Sequence, residues 1–401
     1  MVMFKDLNPI SVFVLIVYPL TIITLAVLYA LNNSLGWFEL GLFFAGYYIS
    51  TISVGVGLHR LWAHDTFKTN KFVEFVLMLL SAGTLQGPVL SWASNHFEHH
   101  TYTDTEKDPH TPLKYKSRVK GFWWSHMGWM LYGTGSYQSV NRVTMLKLGK
   151  NKLLRWQFKN YWQLGLLMNL LVPFMLGYAI GGNLTSACAG ILFIGVGRAL
   201  QQQTTFFVNS LCHFAGTHKY VSGTAGDVWW LAICLLGENW HNFHHAFPSD
   251  YRNGSRWYQF DVHKWIIYLL SKCGMAWDLK VTTEVRINAK MTQAAKALSK
   301  LQTEKLESLN KTINDLSVIH QETLEKLELS SVKAKIKLKK SFAKMQENIK
   351  TLKLQLDQQF KELKAPISDK VVSLITKKAR KLESAMQKLC REFEQSNMQA
   401  A

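Results

Sequence analysis

The chain has 401 residues, 48% of them apolar and 12% aromatic, with a formal charge of +19. Its apolar residues gather in blocks of membrane length. That excludes nucleic acid as the partner of the basic charge and points to an anionic phospholipid surface instead. The five cysteines (Cys188, Cys212, Cys234, Cys273, Cys390) are odd in number and form no CxxC pair, which excludes a disulfide framework and a zinc ribbon.

The N-terminus has no charged n-region followed by a small-residue cleavage site, so no cleaved signal peptide is expected. A helix crossing the bilayer core needs about 20 apolar residues. Residues 11–31 supply them without a charge, and residues 37–58 with Glu39 alone, near the outer end. A third span, 161–180, carries Asn169 and Pro173; a fourth, 184–205, is apolar up to Gly197 and then meets Arg198 and Gln201 to Gln203. The connectors near 32–36 and 181–183 hold no Lys or Arg, whereas the segment between the second and third spans holds Arg60, Lys68, Lys71, Lys107, Lys114, Lys116, Arg118 and Lys120. The positive-inside rule places that segment, the N-terminus and the C-terminal region in the cytoplasm. Residues 72–92 and 121–132 are also apolar, but a crossing there would put the histidine clusters on opposite faces. They are expected to be interfacial or core helices of a cap.

The fold expected is all-α: a multi-pass integral membrane protein with four transmembrane helices under a cytoplasmic helical cap, in a bacterial inner membrane or the endoplasmic reticulum. The membrane domain is expected over 1–285, and a charged, coiled-coil-like helical tail over 286–401. In the tail, apolar residues recur at three and four spacing: Leu306, Leu309, Ile313, Leu316; then Phe342, Met345, Ile349, Leu352, Leu356; and after Pro366, Ile375, Ala379, Leu382, Met386, Leu389, Phe393. Such a seam needs a partner helix, either its own hairpin across Pro366 or a second chain. Self-association or a protein partner is therefore expected, with adhesion of the lysine-dense VKAKIKLKK stretch to anionic headgroups as the second reading.

Nine of the 14 histidines fall into compact sets. HRLWAH gives His59 and His64; HFEHH gives His96, His99 and His100; NSLCH gives Asn209 and His213; HNFHH gives His241, His244 and His245. Positions i, i+3 and i+4 share a helix face, so each HxxHH can aim three imidazoles at one point. His59 and His64 would stand about 140° apart on an ideal α-helix, so that either they serve different metals or the helix ends between them. Nine imidazoles exceed the four ligands of a zinc site. They suit two metal ions in nitrogen-rich shells, and for oxygen chemistry iron is the natural metal. The soluble di-iron carboxylate bundles need ExxH twice; this chain has it once, Glu238 to His241, so Glu238 is expected to orient a ligand imidazole.

HRLWAH, HFEHH with the following DTEKDPH, and GENWHNFHHAFPSDYRNG resemble the three histidine boxes of membrane fatty acyl desaturases of the delta-9, stearoyl-CoA desaturase-like type, over roughly residues 9–280. The resemblance implies two iron ions held by the nine histidines, with Asn209 holding a water ligand, and dioxygen as co-substrate. It implies a cis double bond, at delta-9, introduced into a saturated acyl chain. Gln86, Trp92 and Thr205 then match the bend of an acyl tunnel and Tyr47 its closed end. Thr51, one turn beyond Tyr47, is expected on the same wall. Asp108 and His110 are assigned to supporting roles beside the ligands, and His126, His218, His263 and His320 to structural ones. No HPGG, GxGxxG or CxxC motif is present, so two electrons are expected from a separate donor such as cytochrome b5, a ferredoxin or a flavoprotein reductase. Ser94 and Asn95 stand where animal acyl-CoA enzymes carry charged residues, and Phe97 and Glu98 fill the second box where the family often has Arg. CoA-, carrier- and lipid-bound acyl chains therefore all stay open as substrates. A di-iron hydroxylase or ketolase is the alternative enzyme. A metal-binding scaffold or transporter would place ionisable residues inside the spans, and these spans have almost none.

Overall fold

A computed structural model describes residues 7–132, 141–329, 335–361 and 369–398. Two compact units divide the chain, Met1–Met291 and Thr292–Ala401. Among its described residues the first unit is built of helices and loops, with three isolated β-bridges and one two-residue antiparallel pairing, β1 (Lys68–Thr69) with β2 (Ala276–Trp277), in the register Lys68 to Trp277.

Four of its helices are long and apolar enough to cross a membrane: α1 (Pro9–Asn32), α2 (Trp37–Ala63), and, further along, Tyr161–Gly181 and Leu184–Asn209. Their ends follow local chemistry. Asn8 caps α1 by accepting from the Ile10 and Ser11 amides. Glu39, the one charge near the N-terminal end of α2, is 7% exposed and accepts from the Gly36 amide, satisfying that free donor at the helix start, and from the Tyr29 hydroxyl. The last two spans turn on Gly182, at φ +73, and on Asn183, which accepts from the Ser186 amide. Spans two and four meet through small residues. A Cβ on Gly46 would fall 2.3 Å from the Ile194 carbonyl oxygen, and one on Gly197 2.2 Å from that of Phe43. Without a hydrophobic force between helices in lipid, close backbone approach of this kind holds them together.

Between the second and third spans the chain forms α3 (Lys71–Gly83) and α4 (Val89–Tyr102), followed by short helices. The stretch 72–92, expected to be a cap or core helix, falls on α3 and the start of α4, and 121–132 falls on the short helices between Arg118 and Leu131; neither is among the four membrane-length spans. The third and fourth spans are α5 (Tyr161–Gly181) and α6 (Leu184–Asn209). After α6 come α7 (His241–Ala246) and α8 (Val262–Lys272). The central core joins α2, α3, α4 and α8 through Leu58, Trp62, Leu77, Met78, Leu90 and Ile267.

The second unit is carried by α9 (Glu284–Leu329), α10 (Lys335–Lys361) and α11 (Asp369–Met398). Leu309, Ile313 and Leu316 of α9, Met345, Ile349 and Leu352 of α10, and Ala379, Leu382 and Met386 of α11 are buried. The Thr323 hydroxyl lies 3.7 Å from Cys390 Sγ, and Lys378 Nζ bonds Gln355 Oε1 at 3.1 Å, which ties α11 to both other helices. The seam is therefore closed within this chain. Pro366 and the side chains of Leu306, Phe342, Leu356, Ile375, Leu389 and Phe393 lie outside the described residues.

Candidate metal centre

The first two ligand candidates stand at the C-terminal end of α2. From Ser53 to Ala63 this helix is wound as a π-helix, and the His64 amide bonds the His59 carbonyl five residues back, at 3.0 Å. The wider turn stacks i over i+5, so His59 and His64 share a face, their ring centroids 4.9 Å apart. Of the two sequence alternatives, the one with separate metals fails and the other holds: the helix ends at Ala63, with His64 as its cap, and the π-turn before that end brings both histidines into one cluster. Gly55 permits close packing here, since a Cβ would meet the His263 ring at 2.1 Å.

The HxxHH boxes also behave differently from the expectation of three imidazoles on one point. Each box divides. His59, His64, His96, His100 and His244 form one cluster; His99, His213, His241 and His245 form the other. The i, i+4 pairs His96/His100 and His241/His245 stay together. The adjacent residue, His99 or His244, is rotated by about 100° and reaches the neighbouring cluster. Two helices, each contributing to both clusters, thus hold them side by side.

Inward-facing Nε2 atoms crowd. His64 and His96 are 2.8 Å apart, His100 and His244 2.9 Å, His59 and His244 3.0 Å. In the second cluster His213 and His241 are 2.9 Å apart, His241 and His245 3.0 Å, His99 and His245 3.3 Å. Three of the outward nitrogens face partners of their own. His99 Nδ1 donates to Asp108 Oδ1 at 3.0 Å. His213 Nδ1 donates to Thr224 Oγ1 at 2.7 Å, and that hydroxyl donates in turn to Asp104 Oδ1. His59 Nδ1 lies 2.7 Å from Glu238 Oε2. With the proton on Nδ1, the lone pair of Nε2 faces inward. Lone pairs at such spacing repel unless a cation lies among them, so the donor set fits metal ions that take imidazole.

Electrostatics point the same way. Burial, reinforced by the neighbouring imidazoles, holds His96, His99, His100, His241, His244 and His245 well below the usual imidazole pKa, and brings His213 to about 3. Neutral imidazole is the ligand form. Burial pushes the Asp108 carboxyl up to about 7. Glu238 goes the other way: burial would raise it, but His59 and Arg60 beside it outweigh that and hold it well below the usual range.

An outer layer supports the ligands, and most of it is invisible in the motifs. Arg60 Nη2 reaches Glu238 Oε1 at 3.1 Å and Asp261 Oδ1 at 3.0 Å. His263, expected to be merely structural, is fully buried and bonds Glu238 Oε1 through Nδ1 at 2.9 Å. Asn253 Nδ2 donates to Glu238 Oε2 at 2.8 Å. The short α7 is fixed by Asp227 Oδ1, which accepts from the Asn242 and Phe243 amides at the helix start. Asn242, inside the third box, pins the Thr224 loop by accepting from the Tyr220 amide and donating to the Val221 and Ala225 carbonyls. Its place between two ligands in HNFHH is the one sequence signal that could have marked it. His110 stacks on His99 at 4.1 Å.

A cavity of about 500 Å³ opens against the clusters, with His59, His96, His241 and Glu238 in its wall beside Asn209, the last residue of α6. Gln86, Trp92 and Thr205 line it, and the Trp92 indole donates to Gln86 Oε1 at 3.4 Å. Trp92 also stacks on His96, centroids 5.0 Å apart. Val14, Leu15, Leu85, Met130 and Phe206 make much of the remaining wall apolar. Tyr47 and Thr51 do not line this cavity. The Tyr47 hydroxyl donates to the Cys234 carbonyl at 3.0 Å, the Thr51 hydroxyl to the Tyr47 carbonyl at 2.9 Å, and both residues are buried.

The sequence profile described as fatty acid desaturase matches residues 14–268. Among curated proteins, the chain is 36% identical over 250 residues to acyl-CoA desaturase 1 of Saccharomyces cerevisiae, covering 62% of this chain and 47% of that protein. It is 36% identical over 256 residues to delta-9 acyl-lipid desaturase 2 of Arabidopsis thaliana, covering 62% of this chain and 77% of the relative. With a hex-5-enoyl-[acyl-carrier protein] acetylenase of Moorena producens the identity is 33% over 266 residues, 63% of this chain and 80% of the relative. The chain thus spans about half the length of the yeast relative it matches.

Proposed function

The chain belongs to the fatty acid desaturase family, and on that footing we propose that it is an oxygen-dependent, integral-membrane fatty acyl desaturase that places a cis double bond, at delta-9, in a saturated acyl chain. The observation that carries the proposal is the meeting of two imidazole clusters with an apolar cavity, whose wall includes His59, His96 and His241. His59, His64, His96, His100 and His244 would hold one iron ion. His99, His213, His241 and His245 would hold a second, with Asn209 reaching it through water. Iron there supplies, with dioxygen, the oxidising power that removal of two hydrogens from an unactivated methylene pair demands.

The chain's own residues do the rest. Gln86, Trp92 and Thr205 bend the acyl chain so that one carbon pair faces the clusters, which is catalysis by positioning. The apolar wall excludes water that would otherwise compete for the oxidant. Asp108, Thr224 and Glu238 keep the ligand imidazoles in one tautomer and orientation. Two electrons come from a separate protein, a cytochrome b5, ferredoxin or flavoprotein reductase, at a cap on the cytoplasmic side of a bacterial inner membrane or the endoplasmic reticulum.

For the acyl carrier, the names of the relatives span CoA, lipid and acyl-carrier protein. Ser94 and Asn95, standing where animal acyl-CoA enzymes carry charged residues, keep lipid- and carrier-bound chains open beside CoA. A hydroxylase or ketolase is not favoured, because these relatives are named as desaturases and an acetylenase. Gas chromatography of fatty acids from an expressing host tests the proposal: monounsaturated acyl chains should appear, with no oxygen added. Hydroxylated or ketonic products, or an unchanged profile at normal expression and iron content, would overturn it.

A further inference from the structure

We propose that the C-terminal unit carries a docking face for an anionic phospholipid surface, built from α10 and α11. Charge is unevenly shared among the three tail helices. The sequence of α9 holds seven basic and seven acidic residues, α10 eight against two, and α11 seven against four. The apolar seam is already consumed, since Met345, Ile349 and Leu352 of α10 and Ala379, Leu382 and Met386 of α11 are buried within the unit. What remains outside has its own pattern.

On α11, Leu374, Lys377, Lys378 and Lys381 fall at i, i+3, i+4 and i+7, and all four are exposed, Leu374 by 53%. On α10, Lys350, the half-buried Lys353 and Leu354 share a face at i, i+3 and i+4, with Leu354 63% exposed. The bond from Lys378 to Gln355, next to Leu354, sets the two stripes side by side. The result is two exposed leucines framed by five lysines.

That chemistry selects among occupants. A second copy meeting this face would set lysines against lysines. A nucleic acid or an acidic protein would satisfy the charges but leave the leucines without a role. A phospholipid surface satisfies both: leucines enter the headgroup boundary while lysine stems lie along it and their ammonium groups reach the phosphates. The four spans also keep the tail tethered to a membrane-embedded chain, so such a surface is present at high effective concentration.

The test uses the full chain reconstituted in phosphatidylcholine nanodiscs. These are floated with vesicles of phosphatidylcholine alone or of phosphatidylcholine doped with phosphatidylglycerol. Capture by the anionic vesicles should exceed capture by the neutral ones by at least about tenfold and fall in high salt. Joint replacement of Lys350, Lys353, Lys377, Lys378 and Lys381 by Gln should abolish the difference while helix content by circular dichroism stays unchanged. If that variant loses helix, Leu354→Ser with Leu374→Ser carries the test, and should weaken anionic capture without altering charge. Equal capture by both vesicle types, capture indifferent to salt or to the leucine pair, dimerisation through this face by light scattering, or capture of RNA in place of vesicles would each overturn the proposal.

Discussion

Glu238 Oε2 lies 2.7 Å from His59 Nδ1, while its other oxygen takes Arg60 and His263. One buried carboxylate thus links a candidate ligand to a buried cation and to a second histidine. Glu238→Gln keeps the shape but removes the charge that Arg60 and His59 face. Removing one partner of a buried ion pair costs about 3–5 kcal/mol, and disturbing an outer-layer partner of a metal ligand costs about 10–100-fold in metal affinity or activity. The variant should therefore lose product and bound iron together, and melt earlier. Unchanged iron by elemental analysis, with full product, would remove Glu238 from the site. His263→Ala should show a milder form of the same loss, whereas His320→Ala, in the tail unit, should leave iron content unchanged.

The division of the boxes makes a stoichiometric prediction. His100→Ala or His244→Ala strikes the five-imidazole cluster, and His213→Ala or His241→Ala the four-imidazole one. Each variant should abolish product. Each should also retain about half of the bound iron, because the other cluster keeps its ligands. Asn209→Ala should cripple turnover with a smaller loss of metal, since its contact is made through water. Full activity with any two of the nine histidines replaced would sink the di-iron reading.

Thr224 is a smaller test of the same principle. Its hydroxyl accepts from His213 Nδ1 and donates to Asp104. Thr224→Val keeps the volume and deletes both bonds, so the His213 ring loses its fixed tautomer. Iron affinity or kcat should fall by about 10–100-fold. Thr224→Ser, which restores the hydroxyl, should recover most of it. A valine variant indistinguishable from the parent in both measurements would make Thr224 a packing residue.

How much of this was legible in the chain depends on the range of the interaction. The four spans were, because bilayer thickness sets their length and the caps at Asn8, Glu39 and Asn183 mark three of their starts. The nine histidines were, because ligands on one helix must keep helical spacing. The sharing of one cluster by His59 and His64 was not, since a π-helix looks like any apolar run ending in HRLWAH. Nor was the split of each HxxHH box, which requires knowing that two clusters stand on either side of one helix. The Arg60, Asp261 and His263 network was hidden for a plainer reason. Its members meet across about 200 residues of chain, and no local pattern forces a buried Arg to find that particular Asp.

The last prediction concerns where the acyl chain ends. The cavity reaches the bend residues Gln86, Trp92 and Thr205, and continues along Val14, Leu15 and Phe206. Family resemblance instead puts the closed end at Tyr47, with Thr51 one turn beyond, yet both hydroxyls are bonded to backbone carbonyls in packed surroundings. An acyl chain passing the bend must displace some of that packing to reach them. If it does, Thr51→Trp removes room for the terminal methylenes, and product should shift toward shorter chains. The cost of overpacking is about 1–3 kcal/mol, small enough for a folded, iron-bound variant. Phe206→Ala is the counterpart, enlarging the cavity where it is already open; on the Tyr47 assignment it should alter the position of the double bond more than the preferred length. The expected outcome is a shorter-chain profile for Thr51→Trp and an unaltered length preference for Phe206→Ala, both read by gas chromatography of the host's fatty acids. The reverse result would place the end of the tunnel between α1 and α6, against Val14, Leu15 and Phe206, and leave Tyr47 and Thr51 as residues that only pack the second span.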